Sequence, residues 1–220
     1  MFSVENNLTN RLGVNIIGHL SANLGIGVFA RLVAKFFVSL GYDVVGFDID
    51  AGWERSGTQH DFPGRFVSSP DGLPHDINIF VFPPETIANI HHATNGFNAD
   101  WIVNKFNAAV FFWELQIIPR DWCPALQSMD AILAPTDFIF QMLSSFCQGP
   151  VIIDAPISIA LPSLVEKHRM DFELPDNAII FVASFEPFSD PERKNIAATI
   201  AAFQQGVGHL NDVWLIIKNR

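Results

Sequence analysis

Cysteine is nearly absent: the 220 residues hold two, Cys123 and Cys147. They form no CxxC pair and no zinc spacing, which excludes a disulfide framework and a structural zinc. Both are expected to be buried thiols in a reducing compartment. Positive charge is scarce too. Thirteen Lys and Arg stand against 23 Asp and Glu, a formal net charge of −10. No basic stripe is visible that would follow a phosphate backbone, so nucleic acid is not an expected partner. Long apolar runs are missing: no stretch approaches the roughly 18 residues of a membrane span, and the strongest run, Ala108 to Trp113, has the length of a strand. Met1 to Asn7 shows neither a basic start nor an apolar stretch of signal-peptide type. The expected location is the cytoplasm, with attachment to a membrane surface left open. His19, His60, His75, His91 and His92 fall at no zincin spacing, so no metal is expected.

What the chain does have is alternation. Short apolar runs bounded by glycine or proline read as strands at Val14–Leu20, Asp43–Phe47, Asp76–Phe82, Asn107–Trp113, Asp130–Leu133 and Val151–Ile153. Helical patterns fall between them. The clearest runs from Val28 to Leu40, with Phe29, Leu32, Val33, Phe36, Phe37 and Leu40 on its apolar side and Gly41 as a stop. Glu85–Ala93 and a helix opening at Thr136 are shorter. Residues 51–75 are dense in Gly, Pro and Ser and read as loops with at most a short strand at Phe66–Val67. Continuously apolar strands alternating with helices predict an α/β fold with a parallel sheet covered on both faces. We expect a Rossmann-like domain over residues 1–160, a linker over 161–177 and one βαβ unit over 178–220: strand Ala178–Ser184, helix Ile196–Gln205, strand Val213–Lys218. One βαβ unit cannot bury its own sheet, which predicts further chain, a partner or self-association.

Five features suit chemistry. Arg193 and Lys194 lie between a strand and a helix, where two cations and a helix N-terminus would meet a phosphate. Gly25-Ile26-Gly27-Val28-Phe29-Ala30 formally fits the GxGxxA dinucleotide fingerprint, and Asp48 stands about where a ribose-binding acid would. The loop before Gly25 is too long for that fingerprint. Gly25 and Gly27 more simply let the backbone approach a phosphate or a neighbouring loop. Glu114 follows a buried strand, which puts a carboxylate at the ligand-binding edge of the sheet; pairing with Arg120 is the plainer alternative. His19 ends the first strand beside the glycine loop. Thr136 is first an N-cap and second a ligand contact.

Together these residues resemble glycosyltransferases of the two-Rossmann (GT-B) type, in the large retaining group called family 4. Four segments carry the likeness: Gly13 to Leu20 with Leu24-Gly25-Ile26-Gly27 and Ala30-Arg31; Phe112-Trp113-Glu114-Leu115 with Pro119 and Trp122; Asp130 to Phe138; and Glu192-Arg193-Lys194-Asn195. The resemblance implies transfer of a sugar from a nucleotide-sugar donor to a saccharide or lipid-linked acceptor, with retention of configuration and no metal or other cofactor. It implies that Gly25 and Gly27 approach the donor, that Arg193 and Lys194 hold its diphosphate, and that the acceptor binds mainly the first domain. Two departures matter. Ser184-Phe185 stands where many relatives have Gly-Arg, and the sequence ends before the family's Glu-x7-Glu segment. The second departure predicts a shortened donor domain and compromised catalysis in this chain. Two competing readings stay open: a non-catalytic binding module built on the same fold, and an NAD-dependent oxidoreductase.

Overall fold

The computed structural model describes residues 12–49, 61–146, 148–156, 165–185 and 191–218. The chain divides into two compact units, residues 1–160 and 161–220.

The first unit is a seven-stranded sheet, parallel throughout, flanked by helices. In chain order it runs β1 (Gly13–Gly18), α1 (Gly25–Ser39), β2 (Asp43–Asp48), β3 (Arg65–Val67), β4 (Ile77–Val81), α2 (Pro84–Ala93), β5 (Phe106–Val110), α3 (Cys123–Gln127), β6 (Ala131–Ala134), α4 (Asp137–Phe146) and β7 (Val151–Asp154). The strand order is β3-β2-β1-β4-β5-β6-β7. From β1 the chain winds outward through β2 and β3, then returns to the other side of β1 for the remaining strands. The order therefore reverses between β1 and β4. Right-handed crossovers put α1 on one face of such a sheet and α2 to α4 on the other.

Two apolar cores follow from this winding. On the α1 face, Val14, Ile16, Val44, Ile79, Val81 and Val110 pack under Ala30 and Ala34. On the opposite face, Ile17, Phe80, Phe82, Ala109, Phe111 and Ile132 pack against Ile87, Leu126, Ile139 and Leu143. Successive strand residues point to opposite faces, so a strand buried on both is apolar nearly throughout; the buried exceptions here are Asn15, Asn78 and Asn107. The strands found in the sequence are those of the structure, each within about three residues at its ends.

α1 keeps Phe29, Val33 and Phe37 against the core as expected but departs in its start and in its most buried residues. It begins at Gly25, not Val28, and it buries Gly27, Ala30, Arg31 and Ala34. Phe36 and Leu40, expected on the apolar side, are 56% and 57% exposed. Small residues face the sheet because helix and strands approach closely there. The larger ones, Phe29, Leu32, Val33, Phe36 and Phe37, instead line one wall of an apolar cavity of about 310 Å³.

The second unit holds β8 (Ile179–Ser184), α5 (Pro191–Lys194), α6 (Ile196–Gly206) and β9 (Val213–Lys218), with β8 and β9 parallel neighbours. Phe181 meets Phe203 of α6 edge to face at 5.9 Å. The segment expected as a linker carries a 3-10 turn at Arg169–Phe172. Arg169 Nη1 donates to the carbonyls of Pro175, Asp176 and Ala178, which fastens this turn to the start of β8. Among the described residues no helix is long and apolar enough to cross a membrane.

Candidate functional site at the carboxyl edge of the sheet

In open α/β sheets ligands bind outside the carboxyl ends of the strands, where the strand order reverses. Here that place lies beyond β1 and β4. His19 follows β1 and is half-buried, its ring edge-on to Phe82 at 5.8 Å.

The loop from His19 to Leu24 is held from two sides. At the end of β2, Asp48 accepts the Leu20 N–H at Oδ1 (3.0 Å) and the Ser21 N–H at Oδ2 (3.1 Å). From α1, the buried Arg31 donates through Nη1 to the carbonyls of Leu20 (3.0 Å) and Ala22 (2.9 Å). Arg31 Nε pairs with Asp61 Oδ1 at 2.6 Å, and Lys35 Nζ with Asp61 Oδ2 at 2.7 Å. The Lys35 hydrogen bond is the largest influence holding the Asp61 carboxyl below the ordinary aspartate value; partial burial opposes it, and the Arg31 charge adds to it.

The two glycines differ. A Cβ on Gly27 would run into the carbonyl oxygens of Ala22 and His19, so Gly27 serves the packing of the helix on its own loop. A Cβ on Gly25 would meet nothing within 4 Å. Gly25 opens α1, whose N-cap residue Leu24 makes no side-chain cap and whose first turn has no acidic residue. α1, a 15-residue helix, thus starts at the reversal point with neither a side-chain cap from Leu24 nor an acidic residue in its first turn, and its dipole favours negative charge there.

Further along the same edge, Glu114 and Thr136 come together. With Phe112, Trp113, Phe138 and Ile139 they line a pocket of about 470 Å³ beyond the ends of β5 and β6. Trp113 Nε1 donates to the Ile117 carbonyl at 2.9 Å and its ring meets Trp122 edge-on at 4.7 Å, which sets the loop carrying Glu114. Thr136 caps α4 as expected, its Oγ1 accepting the Ile139 N–H at 3.3 Å. Glu114, Thr136 and Phe138 are exposed at the pocket's rim.

Arg193 and Lys194 belong to the second unit, where both are exposed. They occupy the last turn of the short helix α5, not a loop. Asn195 then turns left-handed (φ 50°) before α6 begins. They therefore end a separate turn whose carbonyls suit a cation, not the loop leading into α6 that was expected.

Sequence reading missed Arg31 as a structural anchor and Asp61 as its partner. A signal existed: Arg31 is the single charge between Leu20 and Ala34, and Lys35 follows four residues later on the same helix face. Cys123 is half-buried with its thiol 3.9 Å from the Pro119 carbonyl; Cys147 lies outside the described residues.

No protein-family model matches the sequence, and no curated relative does. Among solved structures, a glycosyltransferase from Rickettsia africae aligns over 95% of this chain and 69% of its own, at 13% identity and a TM-score of 0.49. UGT2 of Phytolacca americana, solved with UDP-2-fluoro-glucose and pterostilbene, aligns over 94% of this chain and 71% of its own, at 9% identity and a TM-score of 0.43. The Bordetella bronchiseptica enzyme WbmH, solved with NAD+, covers 96% of this chain and 86% of its own, at 11% identity and a TM-score of 0.26. At such scores none of these likenesses carries weight for function, which rests on the residues of the chain itself.

Proposed function

We propose that the chain is a GT-B type glycosyltransferase that moves a sugar from a nucleotide-sugar donor to a saccharide or lipid-linked acceptor, with retention and without a metal. The observation that carries this reading is the start of α1 at Gly25, which lacks a side-chain cap from Leu24 and an acidic first turn and lies at the point where the strand order reverses. Backbone amides and a helix dipole aimed at one place suit the diphosphate of such a donor and stabilise charge on a leaving phosphate without a metal ion. Arg193 and Lys194, exposed on the second unit, are themselves candidates to hold a donor phosphate. His19 stands beside the phosphate end, and Glu114 with Thr136 lies along the edge toward the acceptor.

The oxidoreductase alternative loses its two supports. Asp48 uses both carboxylate oxygens on the amides of Leu20 and Ser21 in the loop after β1. Gly27, the second glycine of the fingerprint, is taken up by the contact with Ala22 and His19.

The test is thermal melting of the protein with a panel of UDP-, GDP- and ADP-sugars, with NAD+ alongside. One nucleotide-sugar should raise Tm by about 5 °C at a hundredfold excess over its Kd. Stabilisation by NAD+ and by no nucleotide-sugar would overturn the reading.

A further inference from the structure

We propose that Arg31 is a positioning residue for the donor: it holds the peptide units of the His19–Leu24 loop so that their carbonyl oxygens stay turned into the protein, away from a diphosphate at the start of α1. This role rests on the glycosyl-transfer reading above. Arg31 is 4% exposed. Its Nη1 donates to two carbonyls, Leu20 at 3.0 Å and Ala22 at 2.9 Å, while its Nε meets Asp61 Oδ1 at 2.6 Å. The Leu20–Ser21 peptide is thereby gripped at both ends, because Asp48 Oδ2 accepts its N–H at 3.1 Å. The His19–Leu20 peptide is gripped likewise: Asp48 Oδ1 accepts its N–H at 3.0 Å, and the Ala22 N–H donates to its carbonyl at 3.2 Å. A peptide bonded at both ends cannot flip without breaking both bonds. The Ala22–Asn23 peptide is held at its carbonyl by Arg31, and that oxygen lies against Gly27.

Arg31 does not act as the counter-ion of the phosphate. Its guanidinium is buried and already faces the Asp61 carboxylate, so it supplies direction to the loop and little net positive potential. Direction matters because a carbonyl released from Arg31 is an acceptor without its donor, and rotation toward water relieves it. Ala22 stands three residues before Gly25. Rotation there sets a partial negative charge beside the place where the dipole of α1 favours an anion, and the two repel. Binding of a diphosphate then weakens in a molecule that is still folded. A guanidinium suits the task, since its planar fork reaches two carbonyls and a carboxylate at once, whereas the ammonium of lysine is a point charge.

The experiment measures binding of UDP, GDP and ADP to the full chain by calorimetry, at a temperature where melting curves show each variant folded. Wild type should bind at least one of them. Arg31→Met should bind the same diphosphate about tenfold more weakly. Arg31→Lys keeps the stem and the charge facing Asp61 but not the fork, and its affinity should fall only about threefold. Lys35→Met removes the other partner of Asp61 without touching the loop and should keep the wild-type Kd. In Arg31→Met, hydrogen exchange should quicken at the amides of Leu20, Ser21 and Ala22 and stay unchanged in β1 and β4. If Arg31→Met does not fold, Arg31→Lys carries both measurements. Wild-type affinity in the folded variant, an equal loss in Lys35→Met, or unchanged exchange in the loop would each overturn the role of Arg31 and leave the transfer reading standing. No diphosphate bound by wild type would overturn the transfer reading and this role with it.

Discussion

The two ends of the large sheet treat polar groups in opposite ways. Toward the amino ends of the strands, Asn15, Asn78 and Asn107 lie side by side in register across β1, β4 and β5. They are 0%, 0% and 7% exposed. Asn15 Nδ2 donates to Asn78 Oδ1 (2.8 Å) and to the His75 carbonyl (2.7 Å). Asn78 Nδ2 donates to Asn107 Oδ1 and to the Trp101 carbonyl, both at 2.9 Å. Asn107 Nδ2 donates to the carbonyls of Ile102 and Lys105. Each side-chain amide thus commits both its N–H groups. At the carboxyl ends, by contrast, the first turn of α1 has no side-chain cap, and a carboxylate and a hydroxyl stand at the rim of an aromatic pocket. One end spends its polar groups on the fold. The other spends Asp48 on the His19–Leu24 loop and Thr136 on capping α4, yet sets Glu114 and Thr136 at the rim of a pocket.

The sharpest way to break this contrast is to cut the ladder at its middle rung. Asn78→Leu removes the bonds to Asn15, Asn107 and Trp101 together and strands their partners in a buried row. Low-dielectric surroundings make an orphaned amide costly, so a loss of about 3–5 kcal/mol is expected in urea unfolding. A loss under 1 kcal/mol would show that the ladder is not a unit. Asn78→Leu should leave the open edge without a direct role in the change, so any surviving folded fraction should still respond to nucleotide-sugar.

The next comparison lies within the glycine loop. Gly27→Ala places a methyl against two backbone carbonyls that are themselves tied down by Arg31 and Asp48. Backbone cannot move aside as a side-chain end can, and we expect a loss of about 2–3 kcal/mol, of the size seen for overpacked sites. Gly25→Ala adds its methyl to open space and should leave stability within about 0.5 kcal/mol. Its expected effect is on binding instead, with nucleotide-sugar affinity falling about tenfold as the backbone is pushed from the phosphate. Urea melts and the ligand-dependent Tm shift separate the two. Equal stability losses would erase the distinction between a packing glycine and a binding one.

How much of this was legible beforehand follows from what each feature depends on. β1, β4 and β5 were legible because doubly covered strands are apolar apart from one asparagine each, and the punctuation by Gly41 and Pro83-Pro84 marks where elements stop. The asparagine ladder was not. Its members stand about 30 to 60 residues apart, and only strand register makes them neighbours. The face of α1 was legible through Phe29, Val33 and Phe37, which pack on the core, but its buried centre was not, because close helix–sheet approach selects the small Ala30 and Ala34 and leaves Phe36 and Leu40 exposed. Glu114 and Thr136 were each visible as edge residues, but their sharing of one pocket depends on β5 and β6 being adjacent. α5 escaped because four residues show no period, although Pro191 at its first position is a favoured helix opening.

The smallest expected effect concerns the staple between those extremes. Arg31→Met keeps the buried stem but releases the carbonyls of Leu20 and Ala22 and leaves Asp61 to Lys35 alone. Two lost charge-assisted bonds to backbone, partly recovered by loop relaxation and water, should cost about 1–2 kcal/mol. Asp61 adds a dependence on pH whose sign is fixed. Its carboxyl sits lower in the folded chain than the ordinary aspartate value, chiefly through the Lys35 hydrogen bond. Its contribution is therefore present above about pH 4 and is lost as pH falls through the folded value. With a side chain 52% exposed, Asp61 is well screened, and the contribution should fade further with added salt. Urea melts at pH 7 and pH 3, at low and high salt, should show wild type losing more stability than Arg31→Met on acidification. Equal losses in the two proteins would mean that Asp61 reads only Lys35, leaving Arg31 to act on the loop carbonyls that shape the open edge.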